Sequence, residues 1–298
     1  MGFINALPST VSQGLIWGIM AIGLYISYKI LDFADLTVDG SLATGGAICA
    51  VLVINGMNVY LAVLIAFLGG LLCGIVTGLF HTALGIPSIL AGILTQLMLW
   101  TVNLKIMGKA NQNLSSRTFN VLVTQMNPVQ ALLVLAVFIA VITAILYWFF
   151  GTELGSSIRA TGCNINMSRA QGINTSLNKI IALALSNGLV ALSGALLAQY
   201  QGFADISMGR GAIVIGLAAI IIGEAVVSKI SSNFAIRLLG AVIGGIIYYI
   251  VYQFVIFLGL DADFLKMLSA LVVAIFLGVP YIKRTYFGKG VKRKNAGN

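Results

Sequence analysis

Nine mostly apolar stretches, each near the length a bilayer demands, govern what this chain can become. They lie at roughly 8–30, 40–56, 59–82, 86–106, 129–150, 177–200, 211–227, 234–258 and 263–283. A helix needs ~20 such residues to cross the hydrocarbon, and in lipid every backbone N–H and C=O must find its partner inside the segment. The expected fold is therefore an all-α polytopic membrane protein with about nine transmembrane helices. The 40–56 and 211–227 pieces are the shortest. Pro87 and Pro128 stand at the starts of segments, where a missing N–H does no harm. No stretch is long enough to serve as a linker, so residues 1–298 are expected to form a single permeation domain.

Composition excludes the soluble alternatives. Only 8% of the 298 residues are charged, mean hydropathy is +1.03 and 59% are hydrophobic, against about 25% charged residues in a soluble domain. The net charge of +9 suggests nucleic acid until its distribution is read. Six of the 17 basic residues fall at the end of the chain: Lys283, Arg284, Lys289, Lys292, Arg293 and Lys294. That is a cytoplasmic anchor beside anionic lipid, with no aromatic-interleaved basic face for nucleic acid. Placing the tail inside puts Lys29, Arg159, Arg169, Lys179, Lys229 and Arg237 inside with it. Lys105, Lys109, Arg117, Arg210 and Lys266 are left outside. This asymmetry predicts an outer N-terminus and an inner C-terminus.

An internal repeat singles out a pathway. Phe33-Ala34-Asp35-Leu36-Thr37-Val38-Asp39-Gly40 returns as Phe203-Ala204-Asp205-Ile206-Ser207-Met208-Gly209-Arg210. Each copy follows a helix with a related opening, Ser12-Gln13-Gly14-Leu15-Ile16 and Ser186-Asn187-Gly188-Leu189-Val190, and each precedes a short glycine-bearing segment. With the predicted orientation the copies lie at opposite faces. The halves, about 8–106 and 177–283, then form an inverted-topology repeat, a sequence pointer to a transport route. Asp35, Asp39 and Gly40 in the first copy, and Asp205, Arg210 and the adjoining Gly211 in the second, are the pathway or gate candidates. Asp32, Asp35 and Asp39 are expected to cluster at the cytoplasmic face, part-neutralised by Lys29, and Asp205 and Arg210 to form an exposed pair. Glu224 is an intramembrane carboxylate, a functional candidate because desolvating its charge is costly. A structural ion pair near Lys229 is the other reading.

Catalytic chemistry has little to work with. His81 is the only histidine, and it falls beside a Gly85-Ile86-Pro87 turn. No His/Cys/carboxylate set has metal-ligand spacing, and Cys49, Cys73 and Cys163 are too scattered for a disulfide framework. No GxxxxGK[ST] loop occurs, so any ATP hydrolysis must belong to another chain. The long polar connection 151–176 differs from its apolar surroundings. Arg159 and Arg169 bracket a Gly162–Asn164 break, a pattern for a short surface helix, with Asn164 able to cap the residues after it. An ordinary loop obeying the positive-inside rule would look similar.

Arg159-Ala160-Thr161-Gly162-Cys163-Asn164 and Arg169-Ala170-Gln171-Gly172-Ile173-Asn174, followed by the small-residue helix with Gly188, Ala191, Gly194 and Ala195, resemble the ATPase-facing coupling segment of the permeases that serve branched-chain amino acid and ribose-type importers. Asp35-Leu36-Thr37-Val38-Asp39-Gly40-Ser41 is similar to the run of the sugar branch. The resemblance covers about residues 10–283. Asp39 interrupts the sugar-type run, and Gly223-Glu224 stands where a Gly-Gly pair is common. Both point toward an amino-acid-type subgroup, aromatic amino acids among its candidate solutes. The resemblance implies the membrane-spanning subunit of an ATP-binding-cassette importer in the bacterial inner membrane, itself not an enzyme. It implies a cytosolic ATPase dimer docked through Arg159, Gly162, Asn164, Arg169, Ala170, Gly172 and Ile173. It also implies an external solute-binding protein and a second permease subunit, a homodimer being the expectation and a heterodimer the alternative. ATP and Mg would sit on the ATPase, with no cofactor or metal on this chain. A stand-alone secondary transporter or channel remains the competing class.

Overall fold

The computed structural model describes residues 2–257 except Arg117 and 228–232, with a few isolated positions beyond 257 and no side chains before Ala6. Eight of the nine expected segments appear as helices; the ninth, 263–283, lies outside the continuously described residues. In chain order they are α1 (Gly2–Tyr25, continued by a π-helical turn Ile26–Ile30), α2 (Val38–Ile54), α3 (Val59–Thr82), α4 (Ser88–Met107), α5 (Pro128–Gly151), α8 (Thr175–Gln201), α9 (Ala212–Val227) and α10 (Phe234–Phe257). Between α5 and α8 lie the short polar helices α6 (Glu153–Cys163) and α7 (Ile165–Ala170). Among the described residues six helices are long and apolar enough to cross a membrane; α2 and α9 are the shorter ones.

Local chemistry sets the ends. Pro128 opens α5, and Asn58, Thr152, Asn164 and Asn174 cap α3, α6, α7 and α8 by accepting backbone N–H groups. Each such cap is worth about 1 kcal/mol. Gly108 and Gly202 close α4 and α8 in the left-handed conformation. One feature departs from the purely helical expectation. Asn111–Asn113 (β1) and Phe203–Asp205 (β2) pair antiparallel, Asn111 opposite Asp205, so the loops after α4 and α8 share one end of the bundle.

α1 and α8 are 83% buried over their apolar windows, whereas α3, α4 and α5 are 28–33% buried and turn apolar faces outward. The core is thus α1 and α8, with the rest packed around them. Approach is close because small residues meet backbone. A Cβ at Gly45 of α2 or Gly74 of α3 would collide with the main chain of α8 at Ala191 or Leu183. Where lipid supplies no hydrophobic drive between helices, such close packing is what holds them together.

The side-chain pairings also fix directions. Ser41 meets Asn187 and Cys49 meets Gln199, so α2 runs parallel to α8. It begins opposite Asn187, the thirteenth of the 27 residues of α8, and therefore at mid-depth. α9 also begins beside Asp39 and ends where Glu224 meets Lys29 of α1. Two half-depth helices therefore start together near the centre and run to opposite ends.

Candidate functional site

The centre of the bundle is polar. Asp35 is 1% exposed. Its Oδ1 accepts the Thr37 backbone N–H at 2.9 Å and its Oδ2 accepts from Asn187 Nδ2 at 2.7 Å. Ser41 Oγ donates to Asn187 Oδ1 at 2.6 Å, and Thr37, Thr77 and Thr95 continue the chain through hydroxyl hydrogen bonds of 2.8 and 3.0 Å. Burial without partners would cost each group about 1–3 kcal/mol; here nearly all are paired. Among the described residues Trp17 Nε1, Thr143 Oγ1 and Asn103 Oδ1 are buried without a partner; Asn103 is 1% exposed, and its Nδ2 stands 3.5 Å from the Gly40 carbonyl.

Asp39 sits one turn further on. Its carboxylate accepts the backbone N–H groups of Gly211 at 3.0 Å and Ile213 at 3.1 Å. A residue in the first turn of α2 therefore caps the start of α9, where the orphan amides and the helix dipole favour negative charge. Gly209, matching Asp39 in the repeat, lies against the Asp39 main chain, and a Cβ there would overlap its carbonyl.

These positions correct the expected acidic cluster at one face. Asp35 and Asp39 are at mid-depth and turned to different partners; only Asp32 is exposed, and it takes a positive φ of 54°. Lys29 pairs instead with Glu224, at 3.1 Å. Lys229, the partner expected for Glu224, lies outside the described residues. Asp205 and Arg210 form no ion pair of their own. Asp205 accepts from the Ser207 N–H at 2.7 Å, from the Ser207 hydroxyl, and from Asn111 Nδ2 at 3.4 Å. Partial burial works to raise its carboxyl, but these hydrogen bonds and the Arg210 charge outweigh it and hold the group below the usual carboxylate range. The Arg210 guanidinium lies over the Trp100 ring, 4.7 Å from its centroid.

The 151–176 segment folds as two helices hinged at Asn164, whose side chain accepts the Met167 N–H at 3.0 Å. Gly162 packs on the Ile30 carbonyl, and a Cβ there would clash. Gly172 ends α7 with φ of 78°. Arg169 Nε donates to Thr175 Oγ1 at 3.2 Å, and Arg159 lies 5.9 Å over the Phe234 ring. Ala170 is exposed and Ile173 half-exposed, while Ile165 and Met167 are 36% and 47% exposed. Beside this segment, His81 bonds the Ile86 carbonyl through Nδ1 at 2.8 Å and meets Lys179 Nζ through Nε2 at 2.9 Å.

Sequence reasoning missed Asn187, Ser41, Asn103 and Trp100 as site residues. Asn187 was visible as an amide inside an otherwise apolar helix, and such residues in membranes are paired or functional. Trp100 carried no signal distinguishing it from an interfacial aromatic. Among the described residues no group of His, Cys, Asp or Glu could hold a metal ion.

A multi-helix bundle with a buried polar centre and half-depth helices is the architecture of a membrane transport subunit. The chain matches, over residues 7–279, the family described as branched-chain amino acid transport system, permease component, and it belongs to that family. It is an ABC-type permease, a multi-pass protein of the bacterial inner membrane. It is 40% identical over 276 residues to a tyrosine transport system permease protein of Clostridioides difficile, covering 92% of this chain and 91% of that one. It is 34% identical over 284 residues to an uncharacterized protein of Rickettsia prowazekii, covering 94% and 99% of the two chains. The galactofuranose transporter permease protein of Escherichia coli is 27% identical over 274 residues, 88% of this chain and 75% of its own length. No solved structure matches the chain.

Proposed function

We propose that this permease carries an aromatic amino acid of the tyrosine type inward, driven by a separate ATPase. The observation that carries the mechanism is the Asp39 carboxylate holding the first turn of α9 from the first turn of α2. The two half-depth helices, the first entered through and the second preceded by related octapeptides that share Phe-Ala-Asp, form the facing ends of an inverted repeat. Nine crossings with an outer N-terminus complete it. A displacement at either end of the bundle is felt at this junction, so the chain can exchange outward- and inward-open states without covalent chemistry.

In this reading α6 and α7 lie in the cytosol. Their exposed Ile165, Met167 and Ala170 seat in a groove of the ATPase, and Arg159 and Arg169 meet its acidic or carbonyl groups. Gly162, packed on the Ile30 carbonyl, passes the motion to the end of α1 and so to the first copy of the repeat. Asn164 and Gly172 hold the shape of the docking piece, and Ile173 fills the groove behind it. ATP and Mg are held by the ATPase dimer. A binding protein delivers the solute at the opposite end, where β1 and β2 pair. A second copy of this chain completes the route. The tyrosine name of the Clostridioides difficile relative, similar over nine-tenths of both chains, supports the solute class.

The test is reconstitution of the permease with its ATPase and binding protein in liposomes. L-Tyrosine uptake is expected to require ATP and all components. Arg169→Ala or Gly172→Trp is expected to leave the chain inserted yet to abolish ATP hydrolysis stimulated by the loaded binding protein. Truncating a desolvated charged side chain at an interface costs about 2–5 kcal/mol. Uptake by the purified permease alone down an ion gradient would overturn the proposal.

A further inference from the structure

We infer that the small cavity between α4 and the start of α9 is the point at which the permease itself reads a zwitterionic aromatic amino acid. The inference rests on the transport reading above and adds to it a site within the chain. The cavity, about 40 Å³, is lined by Asp39, Gln96, Trp100, Asn103, Ile206 and Arg210 among others. Asn103, one of its lining residues, is 1% exposed, and its Oδ1 has no partner. A buried acceptor without a donor costs about 1–3 kcal/mol, and a solute N–H would satisfy it.

Depth makes the case for a pathway rather than a surface pit. Arg210 is exposed, yet it lies against Trp100, thirteenth of the 20 residues of α4, and beside Gly211, which Asp39 holds at the bundle centre. A guanidinium at that depth does not face hydrocarbon; such charges line aqueous routes or protein. The chemical complement is that of an amino acid. Arg210 suits a carboxylate, with its planar fork of donors. The Asn103 Oδ1 and the remaining lone pairs of Asp39 suit an ammonium. The indole of Trp100, a residue 40% exposed in all, suits an aromatic ring once Arg210 leaves it.

At about 40 Å³ the cavity is too small for the solute, so binding in this proposal requires Arg210 to move off the Trp100 ring. Arg210 stacks on Trp100 and covers the ring the solute would use. Entry exchanges one stacking partner for another: the carboxylate draws the guanidinium away, and the solute ring replaces it on the indole. A solute lacking the carboxylate cannot lift Arg210, and one lacking the ring does not profit from the freed indole.

The experiment uses the reconstituted complex and L-tyrosine, with L-tyrosine amide as the carboxylate-free comparison. Arg210→Ala and Asn103→Leu are each expected to lower L-tyrosine uptake by ~10-fold or more, as removal of a charged or buried polar partner does. The binding-protein concentration that half-stimulates ATP hydrolysis should stay within about twofold, a bound a folding defect would break. Arg210→Lys should restore part of the uptake. The preference for L-tyrosine over its amide should shrink in Arg210→Ala and persist in Asn103→Leu. If the wild-type complex transports L-tyrosine and both variants match it, the site is wrong and the transport reading stands. If the wild-type complex moves no L-tyrosine, the transport reading falls and takes the site with it.

Discussion

In the first copy of the repeated octapeptide, Asp35 accepts the N–H two residues ahead and a side-chain amide, and it is 1% exposed. In the second copy, Asp205 accepts the N–H two residues ahead and a side-chain amide, and it is half-buried at the edge of the β pair. The turn is the same in both. What differs is the distant partner: Asn187 in the middle of α8 for the first, Asn111 of β1 for the second. Local sequence therefore builds the turn, and the helix that brings the amide decides whether the turn bears on the core. The first copy is built into the centre of the bundle, while the second leaves Phe203, Ser207 and Arg210 exposed, which under the proposed transport function makes the first the fixed half and the second the half that yields. A transporter needs one of each, a fixed half to work against and a half free to yield.

The largest expected effect tests that asymmetry directly. Asp35→Ala strands the Thr37 N–H and takes away the carboxylate that Asn187 bonds, away from water, so it is expected to cost about 3 kcal/mol. Asp205→Ala leaves groups that water can reach and should cost about 1 kcal/mol or less. Denaturant unfolding of the purified permease in mixed micelles measures both. Equal losses would mean the copies are equally embedded, and the division into fixed and yielding halves would fail.

The next effect is steric and lies where the copies touch. Gly209→Ala drives a Cβ into the Asp39 carbonyl, which belongs to backbone and cannot step aside. At the residue after Asp39, a Cβ on Gly40 meets Leu99 Cδ1 at 3.0 Å, the end of a flexible side chain, and comes no nearer to backbone than 3.3 Å, at Gln96 Cα. Overpacking of the first kind costs about 1–3 kcal/mol, and the second should cost clearly less. Thermal unfolding of the two variants sharpens the comparison; if Gly40→Ala is the worse, the junction is looser than its geometry.

A smaller effect concerns the cap that joins the copies. Asp39→Ala frees the Gly211 and Ile213 amides and should cost about 1 kcal/mol, with Asp39→Asn recovering most of it, as at other helix starts. Hydrogen exchange at those two amides should accelerate in Asp39→Ala and not at the capped start of α3. Unchanged exchange would show that α9 is held by packing alone.

Much of this fold was legible because lipid reduces the problem to segment length. Hydropathy alone located eight of the helices, and the prolines at 87 and 128 marked starts where they were expected. The Asn164 break and its cap were legible too, because a cap is a local matter of one side chain and the amide three residues on. The site was only half legible. Charged residues in a polar run read as surface, and so Asp35 and Asp39 were assigned to a face. Their true depth depends on Asn187, 152 residues away, and on Gly211 and Ile213, 172 and 174 residues away. The same holds for Lys29, whose partner Glu224 is 195 residues distant. No local pattern carries such pairings. The octapeptide match came closest, since it singled out both Asp35 and Asp205, whose local turns are alike.

The smallest expected change in stability belongs to that last pair, and it separates structure from transport at the end of the yielding half. Lys29 ends the helix before the first copy, and Glu224 lies near the end of the helix after the second. Their side chains are 45% and 34% exposed. A pair so open to solvent contributes about 1 kcal/mol or less and is screened by salt. Lys29→Met and Glu224→Gln should therefore unfold almost as the wild type does, and the double variant should be no worse than the sum of the singles. Uptake is where they can part. If the pair is only a clasp, both single variants lose the same modest share of L-tyrosine uptake, and raising the salt concentration reproduces that loss in the wild type. If Glu224 acts on the solute or on the moving half itself, Glu224→Gln loses uptake at full stability while Lys29→Met keeps it. Added salt then fails to imitate the Glu224 variant, because screening a pair does not remove a carboxylate from the route. The two outcomes differ in which partner matters, so a single set of uptake measurements at two salt concentrations decides whether Glu224 works for the fold or for the cargo.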